Sequence, residues 1–212
     1  MALIQPDQLL SFLGAAVLLT LSPGPDNLMV LSMGISRGRK EGMAFGLGCA
    51  LGCLSHTALA ALGLSALVAA SHVAFTGLKV CGGLYLLWLG VQALRSKGSA
   101  FDPGQARSQP REPLSRLFVK GLVANAINPK VVVFFLAFLP QFVRVSRGGI
   151  GWQTAQLGIV FTVQAAVLFG LLGYSAGKIG LWLARSPRTG MWLDRIAGSV
   201  FSVLGLRLII TR

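Results

Sequence analysis

Six long apolar stretches constrain this sequence more than any other feature does. A helix that crosses a bilayer needs about 20 consecutive apolar residues, and each stretch is close to or above that length. In chain order they are Leu9–Ser36, Met43–Ala70, Val73–Leu94, Leu117–Val143, Thr154–Gly177 and Leu193–Thr211. Only 12% of the 212 residues are charged, whereas a soluble domain carries about 25%. The sequence therefore predicts an all-α membrane protein with six transmembrane helices.

The basic residues are distributed unevenly between the two ends of these segments. If the six segments alternate in direction, 13 of the 19 Lys and Arg residues fall on one side and four on the other. Cytoplasmic loops carry an excess of Lys and Arg, so the richer side is predicted to be cytoplasmic, with both termini outside. The net charge of +13 is then a topology signal, and nucleic acid is not an expected partner. The 13 residues are Arg37, Arg39, Lys40, Arg95, Lys97, Arg107, Arg111, Arg116, Lys120, Lys178, Arg185, Arg188 and Arg195.

A polar stretch divides the chain into two nearly equal halves. Residues 96–115 are rich in proline, serine and glutamine, and we predict a flexible cytoplasmic linker there. Residues 1–95 and 116–212 then hold three segments each, and an odd number forces the second half to enter the membrane in the opposite sense. We therefore predict two inverted-topology three-helix repeats. Two short internal matches support this, Lys79–Gly82 with Arg195–Gly198 and Leu89–Gly90 with Leu204–Gly205.

Helix breakers interrupt the first and the fourth segments. The first contains Ser22-Pro23-Gly24-Pro25-Asp26-Asn27, and the fourth contains Asn125-Ala126-Ile127-Asn128-Pro129-Lys130. Proline removes a backbone donor and clashes with the preceding turn, so neither helix is expected to continue unbroken. Backbone groups freed inside a bilayer are tolerated only against protein or a water-filled cavity. Two such interruptions in corresponding positions indicate a transporter's binding site.

Asp26 and Lys130 are the charged residues of these interruptions. Asp26 is the only acidic residue deep in an apolar segment, and ionisable groups in such positions usually mark a pathway or a pair. Its carboxyl group could bind a substrate ammonium or carry a proton. The alternative is a fixed ion pair with Lys130 that only locks the fold. An anion and a cation side by side suit a zwitterion. Further candidates for the site are the amides of Asn27, Asn125 and Asn128 and the helix breakers Pro23, Gly24, Pro25 and Pro129.

Other polar residues within the segments are weaker candidates. Lys79 is predicted to extend toward the membrane surface, with contact to a substrate carboxylate as the alternative. Gln164 is expected to form a hydrogen bond between helices, with ligand binding as the alternative. Cys49, Cys53 and His56 share one helical face. No acidic residue or second histidine on that segment completes a metal site, so no metal is expected.

Enzymatic activity is not expected from this sequence. It contains no phosphate-binding loop, no His-Glu-x-x-His motif and no intact nucleophile elbow. No cofactor is therefore expected, and transport would be driven by an ion gradient or run downhill.

Three motifs follow one another in a characteristic order. They are Leu21–Asn27, then Lys79 with Gly82–Leu86 and Leu89–Gly90, then Asn128–Lys130 with Phe134–Phe135 and Leu139–Phe142. Together they resemble the lysine-exporter (LysE/RhtB) family of amino-acid efflux translocators. The resemblance implies a multi-pass, proton-driven exporter of amino acids in the bacterial inner membrane, with six segments in two inverted halves. It implies functional roles for residues 23–27, 79 and 128–130.

The expected substrates are small neutral amino acids or derivatives, such as threonine, homoserine or leucine, rather than lysine. A site with one acid and one base offers no further carboxylate to a lysine side chain. The alternative is an exporter of divalent metals or other cations of the same fold superfamily, although Lys130 would repel a cation. A thiol-redox carrier needs paired cysteines on facing segments, and the second half has none. The expected partners are an amino acid, protons and the lipid bilayer, and a homo-oligomer is compatible with the sequence.

Overall fold

In the computed structural model, which describes residues 3–96, 112–185 and 187–210, the chain folds into α-helices joined by short turns. These described residues contain no β-strand, so the all-α prediction is confirmed for them. The α-helices are α1 (Pro6–Leu21), α2 (Pro25–Ser36), α3 (Arg39–Ala70), α4 (His72–Arg95), α5 (Leu114–Ala126), α6 (Pro129–Val133), α7 (Ile150–Arg185) and α8 (Pro187–Ile210). A π-helical turn (Phe134–Phe138) and two 3-10 helices (Leu139–Phe142 and Val145–Arg147) connect α6 to α7.

The predicted membrane segments correspond to these helices, with one difference. Within the described residues, α3, α4 and α7 are each long and apolar enough to cross a bilayer. The bent pairs, α1 with α2 and α5 with Pro129–Phe142, raise the number to five if each pair is one span. α8 holds most of the sixth predicted segment but is not among these candidate spans, because its apolar part, residues 193–210, carries three charged residues, Asp194, Arg195 and Arg207. The six-helix inverted repeat therefore stays a prediction.

The predicted linker lies mostly outside the described residues. Residues 97–111 are among those not described, and with them Lys97, Arg107 and Arg111 of the predicted cytoplasmic set. α5 already begins at Leu114, slightly before the predicted end of the linker at residue 115. The division into residues 1–95 and 116–212 stays a prediction.

Two long helix pairs form the frame of the molecule: α3 packs along α7, and α4 packs along α8. The second pair approaches closely through reciprocal glycines. A Cβ added to Gly83 would lie 2.9 Å from the carbonyl oxygen of Gly205, and one added to Gly205 would lie 2.7 Å from the carbonyl oxygen of Gly83. Gly90 and Gly198 repeat this arrangement further along the pair. Small residues let helix backbones approach in a bilayer, where close packing drives association.

One end of the bundle is closed by hydrogen bonds and aromatic rings. Gln8 of α1 donates a hydrogen bond to Gln153 of α7 at 3.1 Å and another to the carbonyl oxygen of Phe142. Arg144 forms an ion pair with Asp7 beside them. Behind these contacts the rings of Phe12, Phe134, Phe138, Phe142 and Phe161 stack on one another, with neighbouring centroids 5.1 to 6.5 Å apart. We call this the closed end.

At the opposite end, an ion-pair network joins the two broken helices. Glu112, just before α5, accepts hydrogen bonds from Arg37 at the end of α2 and from Lys120, both at 2.9 Å. Arg116 lies 3.4 Å from the same carboxylate. The contacts from Lys120 and Arg37 lower the pKa of Glu112 to about 2. The carboxylate is therefore ionised at any physiological pH, and it connects the two halves of the chain.

Candidate functional site

The first break separates α1 from α2 by a bend of 56°. α1 ends at Leu21, and Gly24 adopts an extended conformation directly before Pro25, the first residue of α2. Proline suits that first position because its fixed φ is helical and its missing N–H would have no partner there. Gly24 has no side chain to cap α2, so the backbone N–H groups at this helix start stay available to an anion.

The second break separates α5 from the run Pro129–Phe142 by a bend of 51°. α5 ends at Ala126, and Pro129 is the first residue of α6. Here the helix caps itself, because the side-chain oxygen of Asn128 accepts a hydrogen bond from the backbone N–H of Lys130 at 3.1 Å. Both breaks fall where the sequence predicts them.

Each break provides a hydrogen-bond partner for the charged side chain of the other break. Asn125, at the end of α5, donates a hydrogen bond to the carboxylate of Asp26 at 2.7 Å. Lys130 donates one to the carbonyl oxygen of Ser22 at 2.8 Å, and its ammonium lies 5.1 Å from the centre of the Phe201 ring. Among the ion pairs of the described residues, none joins Asp26 directly to Lys130. The two opposite charges are neighbours in one site, and each has a separate polar partner.

A small cavity lies between the two breaks. Its volume is about 20 Å³, enough for about one water molecule. Asp26 and Lys130 are both buried, with 4% and 7% of their surface exposed. Six predicted site residues line the cavity: Gly24, Asp26, Asn27, Asn125, Asn128 and Lys130. Six further residues complete it: Leu19, Thr20, Cys53, Val131, Phe161 and Phe169.

Asn125 is held in place by the helical face of α3 that carries two cysteines and a histidine. The Cys53 thiol donates to the side-chain oxygen of Asn125 at 3.4 Å, which leaves the amide N–H₂ to face Asp26. His56 lies 3.1 Å from the backbone oxygen of Asn125. Cys49 is buried one turn before Cys53. The described residues contain no group of three or more His, Cys, Asp or Glu side chains that could hold a metal ion.

The remaining predicted residues lie around this cavity or away from it. Asn27 donates a hydrogen bond to the backbone oxygen of Thr20 at 2.8 Å. Gln164 of α7 donates to the Thr20 hydroxyl at 2.9 Å, so it forms an interhelical hydrogen bond one residue removed from the cavity. Lys79 does not line the cavity; its ammonium lies 5.9 Å from the Phe75 ring centre. Pro129 is exposed at the start of α6.

A larger opening, which we call the vestibule, reaches the first break from the side where α4 ends and α8 begins. Its volume is about 590 Å³. It is lined by Pro23, Gly24, Pro25, Leu28, Met29, Leu89, Gln92, Ala93, Ser96, Asp194 and Phe201. Gly24 lines both the vestibule and the cavity between the two breaks, and the Phe201 ring contacts Lys130 from the vestibule side. These two residues therefore lie between the vestibule and the site that holds Asp26 and Lys130.

Sequence reasoning missed three components of this arrangement. The Ser22 carbonyl that binds Lys130 is a backbone group, so the residue type at that position does not predict the contact. Phe201 looks like any other apolar residue of a membrane helix. Asp194 does leave a signal, because it is an acidic residue at the second position of the last predicted segment. Segment ends normally meet water, so a charge there does not by itself indicate a buried site.

The described residues form helices with several apolar spans, and two broken helices enclose buried opposite charges, which is an arrangement typical of membrane translocators. The chain belongs to the LysE type translocator family, which matches residues 17–212. This confirms the resemblance of the three sequence motifs to that family.

Similar proteins align along almost the whole chain. A threonine efflux protein of Escherichia coli (strain K12) is 35% identical over 201 residues, which cover 91% of this chain and 92% of that protein. A homoserine/homoserine lactone efflux protein of Salmonella typhimurium is 32% identical over 197 residues, covering 92% of each chain. An uncharacterized membrane protein of Vibrio cholerae is 33% identical over 201 residues, covering 94% of this chain and 95% of that protein. No solved structure matches the chain.

Proposed function

We propose that this protein exports small neutral amino acids across the bacterial inner membrane in exchange for protons. One observation carries the proposal: a buried acid and a buried base, Asp26 and Lys130, line a single cavity between two broken helices. Buried charges are costly in a membrane and are normally associated with a pathway or a partner. A zwitterionic amino acid offers a counter-charge to each of them at once.

The two ends of the substrate would bind at different groups. Its ammonium takes the carboxylate of Asp26, which keeps its hydrogen bond from Asn125. Its carboxylate takes the ammonium of Lys130, which leaves the Ser22 oxygen, and the free N–H groups at the start of α2 assist because helix N-termini attract anions. The cavity has to increase in volume to several times its 20 Å³ to admit the amino acid. The bends at both breaks are suitable hinges for that change.

Neutral amino acids fit this site better than lysine does. Among the described residues, Asp26 is the only acidic one that lines the cavity, and the substrate α-ammonium would occupy it. A lysine side chain would bring a second buried cation with no carboxylate to balance it, which is unfavourable at low dielectric. The relatives named as threonine and homoserine efflux proteins make these two amino acids the first candidates.

Proton exchange follows from competition for one carboxylate. In the cavity the charge of Asp26 can be balanced either by a bound proton or by the substrate ammonium, and the two cannot bind at the same time. After the amino acid is released on one side of the membrane, Asp26 takes up a proton there. The site then reopens to the other side with Asp26 protonated. Alternating access between the two sides then couples the two flows.

The helix arrangement we propose is six transmembrane helices in two inverted halves, with α8 as the sixth and both termini outside. Similar bends at the two breaks support it, as does the reciprocal support of Asp26 and Lys130 by the opposite break. The reciprocal glycines of α4 and α8 agree with it, since these helices would be symmetry mates.

An export assay in bacterial cells tests the proposed function. Cells that overproduce the protein are loaded with dipeptides containing threonine, homoserine, leucine or lysine, and the amino acids released are quantified with and without a proton uncoupler. We expect uncoupler-sensitive release of threonine or homoserine that exceeds release from vector-only cells, and little release of lysine. Release that equals the vector control for all four would overturn the proposal. Loss of accumulated divalent metal instead would support the cation exporter.

A further inference from the structure

Asp194 is a buried acidic residue that the proposed mechanism does not use. It lies two turns into α8, with 9% of its surface exposed. The hydroxyl of Ser96, the residue that follows α4, donates a hydrogen bond to one of its carboxylate oxygens at 2.6 Å. This bond fixes the direction of the carboxylate, and a carboxylate has about four acceptor positions in total. Asp194 is therefore oriented while it retains the capacity to bind a donor.

Asp194 lines two openings that also reach residues of the first break. One is the vestibule. The other, of about 150 Å³, lies between α2, α7 and α8 and reaches Asn27, which also lines the cavity between the two breaks. Pro23, Leu28 and Asp194 line both openings. A solute that approaches the charged site from the side where α8 begins thus passes the same carboxylate by either route.

The charge around these openings makes Asp194 distinctive. Among the residues that the structure describes, it is the only ionisable one that lines either opening. The sequence predicts an excess of basic residues on this side of the membrane, and such residues would repel an ammonium group. Glu112, on the same side, already contacts Arg37, Arg116 and Lys120. Within the openings, an incoming ammonium group meets one carboxylate.

We propose that Asp194 is the site at which the ammonium group of an outgoing amino acid first binds, before the substrate passes Gly24 and Phe201 to reach Asp26. The inference rests on the proposed export function. The ligand class is the primary ammonium of an α-amino acid. Asp194 draws this group into the vestibule against the basic surroundings, and so it sets the affinity for substrate on that side of the membrane.

Uptake by inside-out membrane vesicles tests this role, because the side where α8 begins is proposed to face the medium there. Initial rates with radiolabelled threonine and homoserine give KM and kcat for each variant. We expect Asp194→Asn to raise KM about tenfold and to change kcat less than about twofold, since the amide keeps the size and loses the charge. Asp194→Glu should recover most of the affinity. Asp7→Asn is the matched control: it removes an exposed carboxylate at the closed end and should leave KM unchanged.

A second readout separates charge from structure. The hydroxy-acid analogue of threonine, which lacks the amine, is tested as a competitor; its disadvantage relative to threonine should shrink in Asp194→Asn. Gln92 lines the vestibule without belonging to the proposed contact. Gln92→Lys should raise KM for threonine several-fold and Gln92→Glu should lower it, and this pair keeps the test valid if Asp194→Asn fails to reach the membrane.

The outcomes distinguish this inference from the export function on which it rests. If wild-type vesicles take up threonine or homoserine and neither the Asp194 nor the Gln92 variants change KM, the role of Asp194 is wrong and export stands. If wild-type vesicles take up neither amino acid, and leucine is not taken up either, both proposals are wrong. A raised KM accompanied by reduced discrimination against the hydroxy acid supports the proposed role.

Discussion

The two broken helices make almost the same bend, 56° and 51°, by different chemistry. At the first break a glycine without a side chain precedes α2, and the helix start remains open to an anion. At the second break Asn128 caps α6 with its own side chain, so that start is already satisfied. The second residue of α2 is Asp26, and the second residue of α6 is Lys130. The two backbones bend alike, whereas the charged residue and the helix cap differ between the breaks, and these differences make the site asymmetric.

The largest expected effect comes from removing the acid. Asp26→Asn should reduce export by roughly hundredfold or more, equivalent to about 2.7 kcal/mol of lost stabilisation, because an amide can neither balance an ammonium nor exchange a proton at neutral pH. Export is measured as threonine release at matched amounts of protein in the membrane. Wild-type rates in this variant would remove Asp26 from the mechanism and, with it, the contrast between the two breaks.

Removing the base should weaken substrate binding more than it slows the step that follows. We expect Lys130→Ala to raise KM for threonine roughly 10- to 100-fold, with insertion into the membrane little changed. Lys79→Ala is the matched control, since it removes a lysine that does not line the cavity. A comparable rise in KM for Lys79→Ala would show that the substrate carboxylate binds along α4 as well.

The missing side chain at the first break can be tested directly. A Cβ at Gly24 would lie 3.2 Å from the ammonium nitrogen of Lys130, closer than the two atoms normally approach. Gly24→Ala should therefore displace the ammonium and raise KM about fivefold. In Gly14→Ala the new Cβ meets no atom within 4 Å, and we expect the wild-type KM. Equal kinetics for the two variants would mean that the position of the Lys130 ammonium beside Gly24 does not affect substrate binding.

The thiol beside Asn125 should have a smaller influence. Cys53→Ala removes the donor that orients the amide, and we expect transport to fall about threefold. Cys53→Ser supplies a hydroxyl donor and should remain within about twofold of wild type. The triple variant Cys49→Ser, Cys53→Ser, Cys81→Ser should also transport. Loss of activity in the triple variant, with Cys53→Ser active, would support the hypothesis of metal or redox chemistry at Cys49 and Cys81.

The smallest effect is expected where the two broken helices are joined by Glu112. Its contacts lower its pKa from 4.5 to about 2, so the ionised carboxylate stabilises the folded state at neutral pH, and this contribution is lost as the pH falls. Tm of the detergent-purified wild type should exceed that of Glu112→Gln above pH 4.5, and the difference should disappear as the pH approaches 2. Transport at neutral pH should change less than about twofold. A pH-independent difference in Tm would show that packing, not charge, joins the helices here.

The sequence predicts the breaks because their cause is local. Pro23, Pro25 and Pro129 cannot continue a helix wherever the surrounding chain goes, so their positions can be read directly. The contacts from Asn125 to Asp26 and from Lys130 to the Ser22 oxygen join residues 99 and 108 positions apart. Such contacts depend on how whole helices pack, and no local pattern encodes them. The sequence supplies both charges but not the groups that hold them.

The position of Asp194 shows a different limit. In the sequence it lies at the edge of an apolar segment, where charged residues normally meet water and carry little information. In the structure the end of α4 folds against this edge, and Ser96 binds the carboxylate. Burial of a residue near a helix end is decided by its neighbour in space, and here that neighbour comes from the other half of the chain.

The hydrogen bonds that Asp26 and Lys130 form across the two breaks affect how tightly the proposed site can bind an amino acid. With no amino acid bound, the carboxylate already has the Asn125 amide and the ammonium already has the Ser22 carbonyl. In the proposed mechanism the substrate ammonium adds to the Asn125 contact at Asp26, whereas the substrate carboxylate has to replace the Ser22 oxygen at Lys130. At Lys130 the bound state gains only the difference between the two contacts, which lowers affinity and speeds release. For the export that we propose, weaker binding at Lys130 would favour release of the amino acid over its retention.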